Sequence, residues 1–410
     1  MKIRSQRGAI RVPPLLIAAL AIAAIPIVAF IITGSQKQKA DTQPKTDSTR
    51  VTVGPNDFPP EFQGVKRVPT LVENPASLDY ETKQAITQKV FRWLTNLKNE
   101  NPNKIYPGNL HCEAGTCSQG TPNNASVFTS VWSRFQRYKL TKNVEDLAVI
   151  KRDLNTFSDI ARERPIQNSF WGCRLIYELH QSTLPEINPL KNTLQTLCQN
   201  IVNVSDSALD IERILDNNQV IEADLDAMLA GRGIASTQLP AKDYYVAYAG
   251  LASEFVSRNL WLGDAKDLTR AKLYFAKAAG GFNLKDKRQK VDNFPALGVA
   301  ALDLYGVTNN SKYLDFATVL IREKQQNGCE SLLDCALTAF FAQEYSQVSQ
   351  NSDYQSLRDR MLAAAVANGY DDKGYPAVVN SLGAFHLFNT TTVIYPTHEN
   401  FLLTGLLMKQ

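Results

Sequence analysis

The chain of 410 residues is 44% apolar, enough to bury a large core, and its formal net charge is only +4. The first fifty residues hold eight Lys/Arg against two Asp/Glu, which leaves 36 bases and 38 acids for everything beyond them. The positive excess therefore belongs to a terminal segment and not to a folded surface, which argues against nucleic acid as a partner.

Residues 1–11 form a basic tail. Val12 to Thr33, VPPLLIAALAIAAIPIVAFIIT, is 22 residues without a charge, and about 20 such residues in a helix span a hydrocarbon core. Lys2, Arg4, Arg7 and Arg11 precede it and only Lys37 and Lys39 follow closely. That bias predicts a single-pass transmembrane helix in the cell membrane, N-terminus cytoplasmic and the remainder extracytoplasmic. A cleaved signal peptide is the rival reading. The apolar run exceeds the usual h-region of about 7–15 residues and no small-x-small site follows it, which favours an uncleaved anchor.

Residues 34–75 read as a flexible, Pro-containing linker. Gly34 to Arg50 has almost no apolar residue and cannot offset its ordering entropy, so a disordered tether is predicted there. Val51 to Pro75 sets Pro55, Pro59, Pro60, Pro69 and Pro75 among Phe58, Phe62 and Leu71. It suits either a plain linker or an extended arm lying against the domain.

Residues 76–410 follow a helical pattern of two alternating kinds. Amphipathic helices are predicted near Leu78–Asn99, Lys142–Glu163, Asn188–Val204, Asp264–Ala279, Asn310–Lys324 and Ser352–Asn368; Leu147, Ile150, Leu154 and Phe157 form one such stripe. Between them lie helices apolar almost all round, near Ala125–Tyr138, Ser169–Gln181, Tyr244–Asn259, Phe294–Tyr305, Cys335–Tyr345 and Glu399–Met408. The first kind should face solvent and the second should be buried on most sides. The junctions repeat: Tyr138, Leu260, Tyr305 and Tyr345 each lead through a short polar turn into the next amphipathic helix. Ser205 to Lys242 has no place in this alternation and reads as an insertion, 205–242.

The turn at Leu262-Gly263-Asp264 and the run from Thr308 to Ala317 resemble the L-T-G-D-x-x-Y-L-x-x-A junction of the six-hairpin glycosidase-like superfamily. That resemblance implies an all-α fold, an (α/α)6 toroid of helical hairpins, here preceded by the transmembrane helix and the tether. It also implies a glycan as ligand or substrate.

Connection lengths indicate which end of such a toroid carries a site. Inner-to-outer turns are short, as at Lys139 to Thr141, Leu260 to Gly263 and Val307 to Asn309. Outer-to-inner connections are long: Glu100 to Asn124, Ser205 to Asp243, Gly280 to Asn293 and Gly369 to His398. Long connections of this kind are usually functional or mobile, and here they lead into the inner-helix N-termini. Asn123, Asn124, Asn168, Asp243, Asp292, Asn293, Asp334, His398 and Glu399 fall at those positions. Asp and Asn there also read as ordinary helix caps. Glycoside hydrolysis needs two carboxyl groups, one kept protonated near neutrality. Asp243, Asp292 and Glu399 are the candidates, with His398 as acid/base or positioning group. Trp171, Tyr244, Tyr245, Tyr370 and Tyr375 flank the same connections and, with Asn293, are candidate substrate-binding residues, since sugar rings stack on aromatic faces. Buried packing of these aromatics is the alternative.

Six cysteines on the outer side of a membrane suggest oxidised pairs. Sequence proximity and helix order favour Cys112–Cys117, Cys173–Cys198 and Cys329–Cys335. His111 and Cys112 with Cys117 would be half of a zinc site lacking its other half, so no metal is assigned. Neither a P-loop, a GxGxxG turn nor a G-x-S-x-G elbow occurs, and no cofactor is assigned. The sequence thus points to a membrane-anchored toroid that binds or processes an envelope glycan, as a hydrolase or lyase. The alternative is a non-catalytic surface protein that uses the toroid and its long loops to bind an envelope protein.

Overall fold

The computed structural model describes residues 52–53, 76–100, 105–113, 116–120, 122–163, 166, 171–201, 244–280, 293–329, 332–369 and 392–409. The apolar stretch 12–33 and most of the linker 34–75 lie outside these residues, as does the insertion 205–242. Among the described residues no helix is long and apolar enough to cross a membrane.

The alternation of amphipathic and wholly apolar helices becomes two concentric layers. The outer helices are α1 (Tyr80–Glu100), α3 (Val144–Glu163), α5 (Lys191–Gln199), α7 (Ala265–Gly280), α9 (Ser311–Asn327) and α11 (Asp353–Gly369). The inner ones are α2 (Asn124–Thr141), α4 (Gly172–His180), α6 (Tyr244–Leu262), α8 (Asn293–Thr308), α10 (Leu332–Ser349) and α12 (Thr397–Met408). Outer α9 buries only Tyr313, Phe316, Ala317, Leu320, Ile321 and Lys324, one face at helical spacing. Inner α10 is buried without a gap from Leu332 to Gln343. Each large apolar side chain in such a stripe contributes about 1.5–3 kcal/mol on burial, so the pattern of burial fixes which layer a helix joins.

The inner layer closes on itself. Helix α2 packs on α4, α4 on α6, α6 on α8, α8 on α10, α10 on α12, and α12 returns to α2. Each outer helix packs on an inner neighbour, and α1, the first, lies against α12, the last. Close approach at the ring centre needs glycine: a Cβ at Gly405 of α12 would stand 2.2 Å from the Trp132 ring of α2.

The four recurring turns share one construction. Lys142, Gly263, Asn309 and Gln350 all take the left-handed conformation, with φ of 53°, 74°, 53° and 54°. Each is followed by an Asx residue whose side chain caps the next outer helix. Asn143 accepts from the Glu145 amide at 2.9 Å, Asp264 from Lys266 at 2.9 Å, Asn310 from Lys312 at 3.1 Å and Asn351 from Asp353 at 2.9 Å. A left-handed residue ends one helix and a polar cap starts the next, which reverses the chain in very few residues.

The structure departs from the sequence reading in two places. The domain is not purely helical: β1 (Thr52–Val53), β2 (Asn109–Glu113), β3 (Thr116–Gln119) and β4 (Thr392–Pro396) form an antiparallel sheet in the order β1-β3-β2-β4. Its strands come from the long connections before α2 and α12 and from the Pro-containing arm, where β-branched runs such as TTVIY favour pairing. The second departure concerns α5, which begins at Lys191 because Pro189 has no amide donor. The preceding Pro185–Leu190 is a 3₁₀ segment instead. The disulfides Cys173–Cys198 and Cys329–Cys335 are formed. Cys112 and Cys117 stand opposite one another in the β2–β3 register.

Candidate functional site

The inner-helix N-termini lie at the end of the ring reached by the long connections, and β4 runs directly into α12 there. The Thr397 amide donates to the Gly108 carbonyl at 3.0 Å, which ties the first turn of α12 to the segment before β2. Phe401 one turn later packs edge-on against Tyr106, ring centroids 5.0 Å apart. Helix α12 therefore presents His398 and Glu399 from a fixed position.

Glu399 is buried, and its Oε1 lies 3.9 Å from His398 Nε2. Burial lowers the His398 pKa to about 4, so the imidazole is neutral at pH 7. A neutral imidazole beside a carboxyl can accept or relay a proton, the property acid/base chemistry requires.

The other candidates divide. Asn123 is a helix cap, its side chain accepting from the Ala125 amide at 2.8 Å. Asp334 is engaged by Lys324 at 2.7 Å, a buried pair joining α10 to α9. Trp171 lies wholly in the core, 5.4 Å from Phe340 between ring centroids, in space that only glycine at position 250 leaves open. Tyr244 and Tyr245 open α6 and Asn293 opens α8. Asp243, Asp292, Tyr370 and Tyr375 lie outside the described residues, although Asp243 and Asp292 immediately precede the first residues of α6 and α8 in the chain. Among the described residues no cluster of three or more His, Cys, Asp or Glu is arranged to hold a metal ion.

A second polar cluster, not anticipated from the sequence, crosses the ring toward the short-turn end. Arg174 of α4 binds Asp303 of α8 through two contacts, at 2.9 and 3.2 Å, and Glu344 of α10 at 3.2 Å. Lys409, just past α12, reaches Glu344 at 2.9 Å and Glu178 at 3.3 Å, and Lys139 reaches Glu178 at 3.2 Å. Three cations thus meet three carboxylates. Burial opposes ionisation of Glu178, yet Lys409 and Lys139, with Trp132 and Gln136 donating, lower its pKa to about 2. For Asp303 burial prevails over Arg174 and raises the pKa. The sequence signal was present in single charges on helices otherwise apolar all round: Arg174 and Glu178 in GCRLIYELH, Asp303 in FPALGVAALDLY.

No protein-family model matches the sequence, and no curated protein matches it. Solved structures do match in fold. The Lin0763 protein from Listeria innocua superposes with a TM-score of 0.51 at 14% identity, covering 80% of this chain and 96% of that one. An unsaturated glucuronyl hydrolase specific for heparin gives 0.51 at 11% identity, over 79% of this chain and 95% of its own. With the closed ring described above, these likenesses define the class: the chain has the six-hairpin glycosidase-like fold.

Proposed function

We propose that the protein is a membrane-anchored, extracytoplasmic toroid that binds and processes an envelope glycan at the inner-helix N-terminal end. The observation that carries this reading is the convergence there of the long connections with the half-buried His398 and the buried Glu399 of α12. The fold it shares with a heparin-specific glucuronyl hydrolase supports a carbohydrate ligand. In this proposal Glu399 works with Asp243 or Asp292 as the carboxyl pair of a hydrolase, or as acid and base of a lyase, and His398 positions the sugar or relays a proton. Tyr244, Tyr245, Asn293, Tyr370 and Tyr375 would line the sugar path. Two disulfides suit an oxidising compartment, and residues 12–33 would supply the anchor.

A panel of uronate-containing and neutral polysaccharides offered to the purified full chain tests the chemistry by release of reducing ends or of unsaturated product. Glu399→Gln, Asp243→Asn and Asp292→Asn are the informative variants. Loss of one acid/base group should lower turnover by about 10²-fold or more. Turnover that survives all three changes overturns the site. Protease protection of the C-terminal domain in intact cells would overturn the topology.

A second reading has its own support. Trp132, Trp171 and Phe340 fill the ring centre, as suits a non-catalytic surface protein that binds an envelope partner through its loops. Glycan binding without turnover, unchanged in the three variants, would favour it.

A further inference from the structure

A cleft of about 530 Å³ opens on the outer wall, between α1 and α3 and over the second half of α2. Its lining carries four arginines, one on α1 (Arg92), two on α2 (Arg134 and Arg137) and one on α3 (Arg152). Two are fixed in place. The Arg137 guanidinium grips Asp146 through two contacts, at 2.6 and 2.7 Å, while Arg134 reaches the same carboxylate at 3.2 Å and Thr95 at 2.8 Å. Both planes lie over the Phe91 ring, 4.3 and 4.8 Å from its centroid. The pair therefore shares one buried carboxylate, and rotamer entropy is already lost before any ligand arrives.

The charges do not cancel. Arg152 lies 3.4 Å from Asp153, but Asp153 is also the partner of Lys98. Arg92 is exposed and makes no ion pair among the described residues. Four arginines and Glu145 are the charged groups of the lining; with the buried groups behind them, Lys98, Asp146 and Asp153, five bases stand against three acids. The lining also carries the side-chain amides of Gln84, Gln88, Asn96 and Asn143, a group that both donates and accepts. A walled cavity with excess guanidinium and interspersed amides matches an oxyanion carried on a hydroxyl-rich chain. Guanidinium forks take carboxylate or phosphate in two parallel hydrogen bonds, and the amides take the hydroxyls.

The geometry points to this cleft as a second binding site, for a polyhydroxylated polyanion. It rests on its own residues, none of which belongs to the inner-helix mouth, so either site can fail without the other. The anion is a carboxylated saccharide or a polyol phosphate, and the probes separate these sources. Full chain in detergent is titrated with labelled oligogalacturonate, labelled glycerol-phosphate oligomer, tripolyphosphate and neutral maltohexaose, and affinity is read by fluorescence anisotropy at two salt concentrations. One of the two hydroxylated polyanions should bind, more weakly at high salt, and more tightly than tripolyphosphate or maltohexaose. The double variant Arg92→Ala/Arg152→Ala removes only exposed side chains and should weaken that binding about tenfold or more. Arg92→Lys/Arg152→Lys should restore part of it. Equal affinity in the alanine variant, tightest binding of tripolyphosphate or maltohexaose, or no binding by any probe overturns the proposal.

Discussion

The two ends of the toroid solve opposite problems. At the short-turn end every reversal uses a left-handed residue followed by an Asx cap, and the ring interior nearby is crossed by Arg174, Lys409, Lys139, Asp303, Glu344 and Glu178 in charge balance. At the other end the connections are long, a small sheet ties two of them together, and the half-buried His398 and buried Glu399 lie 3.9 Å apart. The first end is held by satisfied charges. The second holds an imidazole that burial keeps neutral, 3.9 Å from a carboxyl. Titratable groups at the closed end should thus register as stability, and those at the open end as pH dependence and chemistry.

The largest expected effect is at the closed end. Arg174→Met would leave the half-buried Asp303 and Glu344 beside each other with a single cation, Lys409, near one of them. Breaking a fully buried pair costs about 3–5 kcal/mol, and the partial exposure of this one puts the expected loss at the lower end, about 3 kcal/mol. Urea denaturation of the full chain measures it, and adding Asp303→Leu should recover part of the loss. A cost under about 1 kcal/mol would erase the contrast between the ends, because the cluster would then be idle.

A smaller effect is expected at the open end and takes the form of a pH window. The His398 pKa falls from an ordinary value near 6.5 to about 4 on folding, because burial disfavours the imidazolium. The unfolded chain therefore binds the proton more readily. The stability involved is complete above pH 6.5 and is lost as pH falls through about 4. The shift corresponds to at most about 3 kcal/mol, and with 19% of the side chain exposed a value near 2 kcal/mol is expected. Denaturation of wild type and His398→Gln across that range isolates the contribution as a difference. Parallel curves would mean that the imidazole is solvated and free to titrate normally.

These ends were not equally legible in the sequence. The layers could be read because an amphipathic stripe such as Leu147, Ile150, Leu154 and Phe157 and an all-round apolar helix such as that at Phe294 differ in composition over many residues. The two disulfides between sequence neighbours could be read for a similar reason, since the helix order brings Cys173 and Cys198 together. The strands could not: β1 has two residues and β3 four, too few for alternation to declare itself, and their pairing is set by connections far apart in the chain. Nor could the charge cluster, because Arg174 meets Asp303 only when the ring closes, and no local spacing encodes a contact across 129 residues. Of the candidate site, Trp171 illustrates the ambiguity: an aromatic beside a long connection is equally a stacking platform or core. The vacancy at Gly250 places this one in the core.

The smallest effect tests whether the short turns are scaffold alone. Asn310 starts α9 by accepting from the Lys312 amide at 3.1 Å, and its neighbour Asn309 carries the left-handed φ of 53°. Alanine at position 310 leaves one helix-terminal amide without its cap and should cost about 1 kcal/mol. The same chemistry recurs at Asn143, Asp264 and Asn351, so alanine at Asp264 or Asn351 should cost a comparable amount and the losses should add, the turns being far apart. Glycan affinity or turnover, measured on Asn310→Ala at a temperature where it is fully folded, should equal that of wild type. A loss of affinity beyond the stability change would move function to the short-turn end and remove the polarity on which the site assignment depends.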